Sequence, residues 1–393
     1  MKHTMFDKLK RVKFNDLYHL SLFLLAWPVS LIYKKRRDSL WLICEYKNEA
    51  RDNSYYLFKY IAENHKNVDI VYAISPRSRD YERISRVGKY VKFGSFKHWV
   101  YYLSALKNIS TQKGGKPNAA VCYLFEVKLR ILRTKRYFLQ HGVTMNNLPY
   151  LYYPETYFKT FSTSGYNEYK FICDNFGYPS DVVKKTGMCR FDNLIDDSIQ
   201  SNKIVIMPTW RQFLYFCKLS KTEFQKTSYY LNWSSLLKCE RFQNLIQEKN
   251  YEVCFILHRN MSKFSNCFNT PGINIYKWDE IDDFQSILRS AKLLITDYSS
   301  LSIDFSYMKK PLIYFQFDLL DFQKAHLHKG YFEYREDGFG PVCESYSEVI
   351  DKLIYYGEKN FCNDKVYLDR ICSFFLFNDR KNCERNYYSI LNS

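Results

Sequence analysis

Metal-ligand and disulfide spacing are missing from this sequence. Its twelve cysteines are scattered, with no C-x-x-C pair and no Cys/His cluster, so they read as reduced thiols of a cytosolic protein. No G-x-x-x-x-G-K-[ST] segment occurs, which argues against a P-loop NTPase. Internal repeats and low-complexity tracts are also lacking, so no repeat array or compositional tail is expected. The most apolar stretch, Leu17–Tyr33, has no small-residue cleavage site after it; Lys34-Lys35-Arg36-Arg37 follows instead, which is wrong for a secretory signal. It is shorter than the about 20 apolar residues of a spanning helix, and Pro28 breaks it near its end. With Lys8, Lys10, Arg11 and Lys13 on the other flank, residues 1–37 are expected to lie on the cytoplasmic face of a membrane, cations on anionic headgroups. Packing of this helix on the N-terminal domain is the alternative.

Acidic residues are nearly absent between Arg83 and Arg136, where thirteen Lys/Arg face only Glu126; residues 1–40 carry nine Lys/Arg against three acids. These windows hold more than the whole net charge of +17. A basic N-terminal half implies an anionic partner: nucleic acid, an acidic membrane surface or an acidic polymer. A nucleic-acid binder would interleave aromatics with Lys/Arg on an exposed face. Here the 36 Tyr and 31 Phe follow core periodicity, so nucleic acid is not the expected partner.

A chain of 393 residues exceeds one ordinary core. From Leu40 onward, apolar runs of strand length alternate with helical patterns, which predicts a mainly parallel α/β architecture with helices on both faces. Polar, aperiodic Asp196–Lys203 marks a boundary, giving an N-terminal domain over 38–198 and a C-terminal domain over 199–393. Two doubly wound Rossmann-like domains facing each other across a cleft is the GT-B shape. Ligands of such sheets sit at the carboxyl ends of the strands. That rule selects His141, Thr209 with Arg211, His258 with Arg259, and Thr296 through Ser300, each directly after a predicted strand. Leu293–Ile295 is a buried strand, Ser299 and Ser300 stand where a helix starts, and Pro311 ends that helix before the strand Leu312–Phe315. Arg211, His258 and the helix start offer charge-assisted and dipolar donors to a diphosphate. His141, followed by Gly142 at a tight turn, offers a base with a pKa near neutrality. No D-x-D cluster occurs in this set, so the sequence requires no cofactor; a divalent cation such as Mg2+ would have Asp297 and Asp304 as its carboxylates.

QHG (140–142), G-x-x-R-F-D (187–192), M-P-T-W-R (207–211), the strand-end His258, I-T-D-Y-S-S-x-x-x-D-F (295–305) and Lys310-Pro311 together resemble the CDP-glycerol glycerophosphotransferase family of teichoic-acid and capsule enzymes. Asp318 and the GFGP segment 338–341 fit the same pattern. Gln140 stands where many relatives have Trp, and Cys189 where they have Pro. The resemblance implies a GT-B fold and a peripheral enzyme of the cytoplasmic membrane face. It would move a polyol phosphate, glycerol or ribitol, from a CDP-activated donor to a hydroxyl of an anionic lipid-linked or polymeric glycan acceptor, releasing CMP. It casts His141, Arg211 and His258 as catalytic. Gly142, Thr144, Arg190, Pro208, Thr209, Arg259, Thr296, Asp297, Ser299, Ser300 and Asp304 would form the donor site. A GT-B glycosyltransferase using a nucleotide sugar is the alternative enzyme reading.

Overall fold

The computed structural model describes residues 13–36, 39–194, 201–217, 219–326 and 330–393. Two sheets organise them. The first comprises β1 (Trp41–Cys44), β2 (Ile70–Ile74), β3 (Tyr90–Lys92), β4 (Lys107–Ser110), β5 (Arg136–Phe138), β6 (Thr160–Thr163) and β7 (Val183–Lys185), in the order β3-β2-β1-β4-β5-β6-β7. The second comprises β8 (Lys203–Met207), β9 (Glu252–Leu257), β10 (Ile273–Lys277), β11 (Ala291–Thr296), β12 (Leu312–Phe315) and β13 (Val342–Cys343), in the order β10-β9-β8-β11-β12-β13. Every pairing in both is parallel. This is the two-unit GT-B type α/β fold that the alternation predicts. Strand order reverses between β1 and β4 and again between β8 and β11, so each sheet has a switch point where ligands are bound.

The central strands are fully buried, as at Leu293, Leu294 and Ile295, because helices cover both faces of each sheet. Edge strands β3, β7 and β13 are two or three residues long and carry exposed or half-buried positions, and no apolar run announces them. Trp233 and Phe242 belong to separate helices, Ser228–Lys238 and Glu240–Glu248, because Cys239 adopts an extended conformation. The segment Ala119–Tyr123 is a short α-helix that runs on into a π-turn, Leu124–Lys128. There Glu126 turns inward to Lys116 at 3.0 Å and to the Tyr102 and Thr134 hydroxyls at 2.5 Å. A buried carboxylate with those partners sets the local winding.

The N-terminal apolar stretch is one continuous helix, Phe14–Arg36, running through Pro28 rather than breaking there. It is long and apolar enough to cross a membrane by length and composition, yet one face packs on the first unit. Phe23 and Ala26 are fully buried, and Trp99 Nε1 donates to His19 Nδ1 at 3.2 Å. Leu17, Leu24, Leu25, Leu31 and Ile32 are exposed.

The expected boundary at Asp196–Lys203 falls largely on 195–200, outside the described residues. The second unit's range, 199–393, does not stay with its own sheet. The helix Asn382–Leu391 crosses back to the first unit, where Tyr387 stacks on His65 at 3.8 Å and lies beside Trp41. Asp192 accepts from the Asn382 and Cys383 backbone N–H groups at that helix start.

Candidate active site

Two residues past the end of β5 stands Gln140, buried and held at φ +62°. A non-glycine residue there needs support from its surroundings, and Glu168 provides it. Its buried carboxylate accepts from Gln140 Nε2 at 2.9 Å and from the Thr144 and Ser164 backbone N–H groups at 2.7 Å. Burial raises Glu168 to about 7, against those three donors. Both ends of the turn carrying His141 and Gly142 are thereby fixed.

On the neighbouring loop, Asp52 precedes the helix Asn53–Asn64 and accepts from the Asn53 N–H at 2.8 Å. Behind it, buried Glu45 accepts from the Arg51, Asp52 and Tyr55 N–H groups at 2.9–3.0 Å. Asp52 Oδ2 bonds His141 Nδ1, while Oδ1 accepts from Arg190 Nη1 at 2.8 Å. Burial pushes the Asp52 pKa up, but the Arg190 and His141 charges outweigh it and the carboxyl sits below its ordinary value. For His141, desolvation works to lower the pKa and the Asp52 carboxylate overrides it, leaving a net rise. The imidazole is 71% exposed. With Nδ1 on a carboxylate, Nε2 is the nitrogen open to the cleft, the arrangement of an oriented general base.

Arg190 joins the units. Its Nε and Nη2 hold Asp304 at 2.6 and 2.7 Å, and Nη1 also donates to the His141 carbonyl at 2.6 Å. Its guanidinium is therefore committed to protein groups, not open to phosphates as expected, and Asp304 is its partner rather than a donor ligand. Nearby, a β-carbon on Gly142 would lie 3.2 Å from Ser300 Oγ, so the two units meet beside His141. Arg259 adds a bridge to Glu49 at 2.8 Å, and Arg51 donates to the Ile281 carbonyl at 2.7 Å.

On the second sheet, Arg211 is fully buried. It grips Asp318 with Nε and Nη2 at 2.8 and 2.9 Å, pairs with Asp297 at 2.9 Å and donates to the Thr209 carbonyl at 2.8 Å. The rings of Tyr229, Tyr298 and Phe322 lie about it at 5.0–5.2 Å. Asp297 in turn accepts from the Thr209 and Tyr298 N–H groups at 2.8 and 2.7 Å. Thr296 Oγ1 donates to the Met207 carbonyl. Arg211, Asp297 and Thr296 therefore tie β8 to β11 beneath the cleft and do not line it, and Pro208 between them is buried. On the other side, Thr144 ties the His141 turn to Glu168. The reason is common to all of them: a strand end that opens on a ligand must first satisfy its own backbone and charges. Asp297 and Asp304 are both taken by arginines, so this pair does not fit a cation. Among the described residues no group of three or more His, Cys, Asp or Glu could hold a metal.

What faces the cleft is a smaller set. His258 Nδ1 accepts from the Asn260 N–H at 3.2 Å, which puts the neutral ring's proton on Nε2, and its ring stacks near Trp210 at 5.9 Å. Arg259 and Ser300 are exposed, and Thr209 and Ser299 half-buried. Asp52, Glu45 and Glu168 escaped sequence reasoning. The one local signal was an Asp directly before a helix start.

The family described as CDP-Glycerol:Poly(glycerophosphate) glycerophosphotransferase matches residues 25–392. The minor teichoic acid biosynthesis protein GgaB of Bacillus subtilis (strain 168) is 31% identical over 90% of this chain and 40% of its own length. A teichoic acid poly(glycerol phosphate) polymerase of Bacillus spizizenii (strain ATCC 23059 / NRRL B-14472 / W23) is 23% identical over 80% of this chain and 83% of the relative. This chain thus spans less than half of GgaB. The solved structure of the wall teichoic acid polymerase TagF superposes with a TM-score of 0.68 at 16% identity, covering 96% of both chains, a likeness of fold. With a family match that reaches across both sheets and both sides of the cleft, the chain belongs to the CDP-glycerol:poly(glycerophosphate) glycerophosphotransferase family.

Proposed function

We propose that this chain transfers a polyol phosphate, glycerol phosphate first and ribitol phosphate as the other donor class, from a CDP-activated donor to a hydroxyl of a teichoic-acid or capsule-type glycan acceptor. One observation carries the reading: an exposed imidazole held through Nδ1 by a half-buried carboxylate, at the point where the two units meet. The acceptor hydroxyl gives its proton to His141 Nε2 as its oxygen attacks the polyol-bearing phosphorus. A new P–O bond forms, the P–O bond to CMP breaks, and CMP leaves with the electron pair. Asp52 stabilises the imidazolium so formed. Positioning and charge stabilisation do most of the work in such transfers, and His258, Arg259, Ser299 and Ser300 are the groups placed to supply them. Nucleotide release by purified protein, CMP from CDP-glycerol, CDP-ribitol or CMP-sialic acid and UDP from a UDP-hexose, tests the reading. Turnover confined to the sugar nucleotides would replace it with the glycosyltransferase reading.

The same proposal places the protein peripherally on the cytoplasmic membrane face. The exposed apolar side of the helix Phe14–Arg36 supports this. So do exposed Leu124, Leu129 and Ile131, which sit among exposed Lys128, Arg130 and Arg133. Phe23 and Phe125, 4.5 Å apart, join the two segments. Flotation with anionic but not zwitterionic vesicles is the expected outcome.

A further inference from the structure

β4 lies between β1 and β5 in the first sheet. The loop leaving it, Lys113-Gly114-Gly115-Lys116, therefore opens on the same carboxyl edge as the loops bearing Asp52 and His141. The reaction derived above does not use it. Towards the cleft, Gly114 comes so near Tyr46 that a β-carbon would sit 3.3 Å from the ring, and Glu49, on the Tyr46 loop, acts electrostatically on both Tyr46 and His141. In the other direction Lys113 Nζ donates to the Tyr150 carbonyl at 2.6 Å, which leaves it two further N–H groups. The same ammonium lies 5.6 Å from the Tyr123 ring, with Lys128 5.1 Å from that ring. Tyr46 and Tyr150 are 42% and 57% exposed. Together these residues run along one sheet edge from the basic, apolar face of the first unit to the loop of Tyr46, whose Asp52 bonds His141.

Around Lys113 negative charge is short. Buried Arg136 donates to the Lys113 carbonyl at 2.9 Å, while its Nη1 is buried without a hydrogen-bond partner. Lys116 is paired with Glu126 at 3.0 Å and Lys128 with Glu155 at 3.6 Å. Four cations thus share two carboxylates. Burial, and then the neighbouring cations, push the Lys113 ammonium down to about 8 although Glu155 opposes them. A cation so placed is stabilised by an arriving anion.

We propose that this loop is the acceptor track: Lys113 and Lys128 seat a phosphate of a polyol-phosphate chain, and Tyr46 and Tyr150 flank the chain as its terminal hydroxyl reaches His141. The proposal rests on the transfer reading above. Its test uses the full chain, CDP-glycerol as donor and a synthetic glycerol-phosphate oligomer as acceptor. Lys113→Ala raises the acceptor KM at least fivefold and Lys113→Glu raises it further. Donor KM and kcat at saturating oligomer stay within twofold, and the acceptor KM loses part of its dependence on salt. An unchanged acceptor KM in Lys113→Glu overturns the track, as does a parallel loss of donor KM. Calorimetric binding of the oligomer alone separates the two readings. Wild-type protein that binds it through Lys113 but transfers nothing sinks the transfer and leaves the track; transfer that Lys113→Glu leaves intact sinks the track alone.

Discussion

On the first-sheet side of the cleft half-buried Asp52 and buried Arg190 serve an exposed imidazole. On the second-sheet side the buried charges, Arg211, Asp297 and Asp318, serve one another. Each side has an arginine holding two carboxylates. Arg190 reaches Asp304 across the units, whereas Arg211 closes a network inside one. A motif arginine in a phosphate-handling family thus has two quite different uses, and burial decides between them. A guanidinium whose donors are all met by carboxylates and carbonyls stabilises the loops that present the site; the contacts fall to less conspicuous neighbours such as His258 and Ser300.

The strongest challenge to this division is His141→Ala. If the first side is the chemical one, kcat falls about 10²–10⁴-fold while donor affinity, measured by calorimetry, hardly moves. Parallel loss of both would make the imidazole a phosphate holder and erase the distinction. Next is Arg211→Ala, which leaves Asp297 and Asp318 buried without their counter-charge. Urea unfolding is expected to show a stability loss of about 3–5 kcal/mol. A stable variant with weakened donor binding would put Arg211 back among the ligand contacts. His258→Ala sharpens the second side: donor affinity falls by about 1.5–3 kcal/mol, the scale of a hydrogen bond to a charged group, with the fold intact. An unaltered affinity would leave that side without its principal donor.

The smallest effect is in pH. Asp52 favours the His141 imidazolium, so the acidic limb of kcat lies above the ordinary imidazole value of about 6.5, the direction of the His141 shift. Asp52→Asn moves the limb down. The sign for stability is opposite. A raised folded-state pKa gives the pair its full stabilisation below the unfolded value, and that stabilisation is lost as pH rises through the folded one. Activity therefore grows across the window in which this contribution fades. A limb that stays put in Asp52→Asn would detach the carboxylate from the imidazole.

Sequence reasoning reached what is local. Leu293–Ile295 announced a buried strand, Pro311 ended the helix before Leu312, and the strand ends led to His141 and His258. It could not reach the pairings that decide what each strand end does. Arg211 and Asp318 are 107 residues apart, Arg190 and Asp304 are 114, and His141 and Asp52 are 89. Arg211 and His258 look equally available in a one-dimensional pattern, and only the packed structure shows one enclosed and the other at the rim. Pro28 misled for a related reason. A helix held by Trp99 and Phe125 before Pro28 and by Tyr101 at Tyr33 after it tolerates one missing backbone bond.

The helix Asn382–Leu391 has a consequence for the order of assembly. Its Tyr387 covers His65 and Trp41, and its Ile390 carbonyl takes the ammonium of Lys107, 283 residues earlier. The first unit leaves the ribosome before the second, yet that face of its sheet waits uncovered while the whole second unit is made. The half synthesised first is therefore completed last, and its own final contact is delivered by chain that has already passed through its partner.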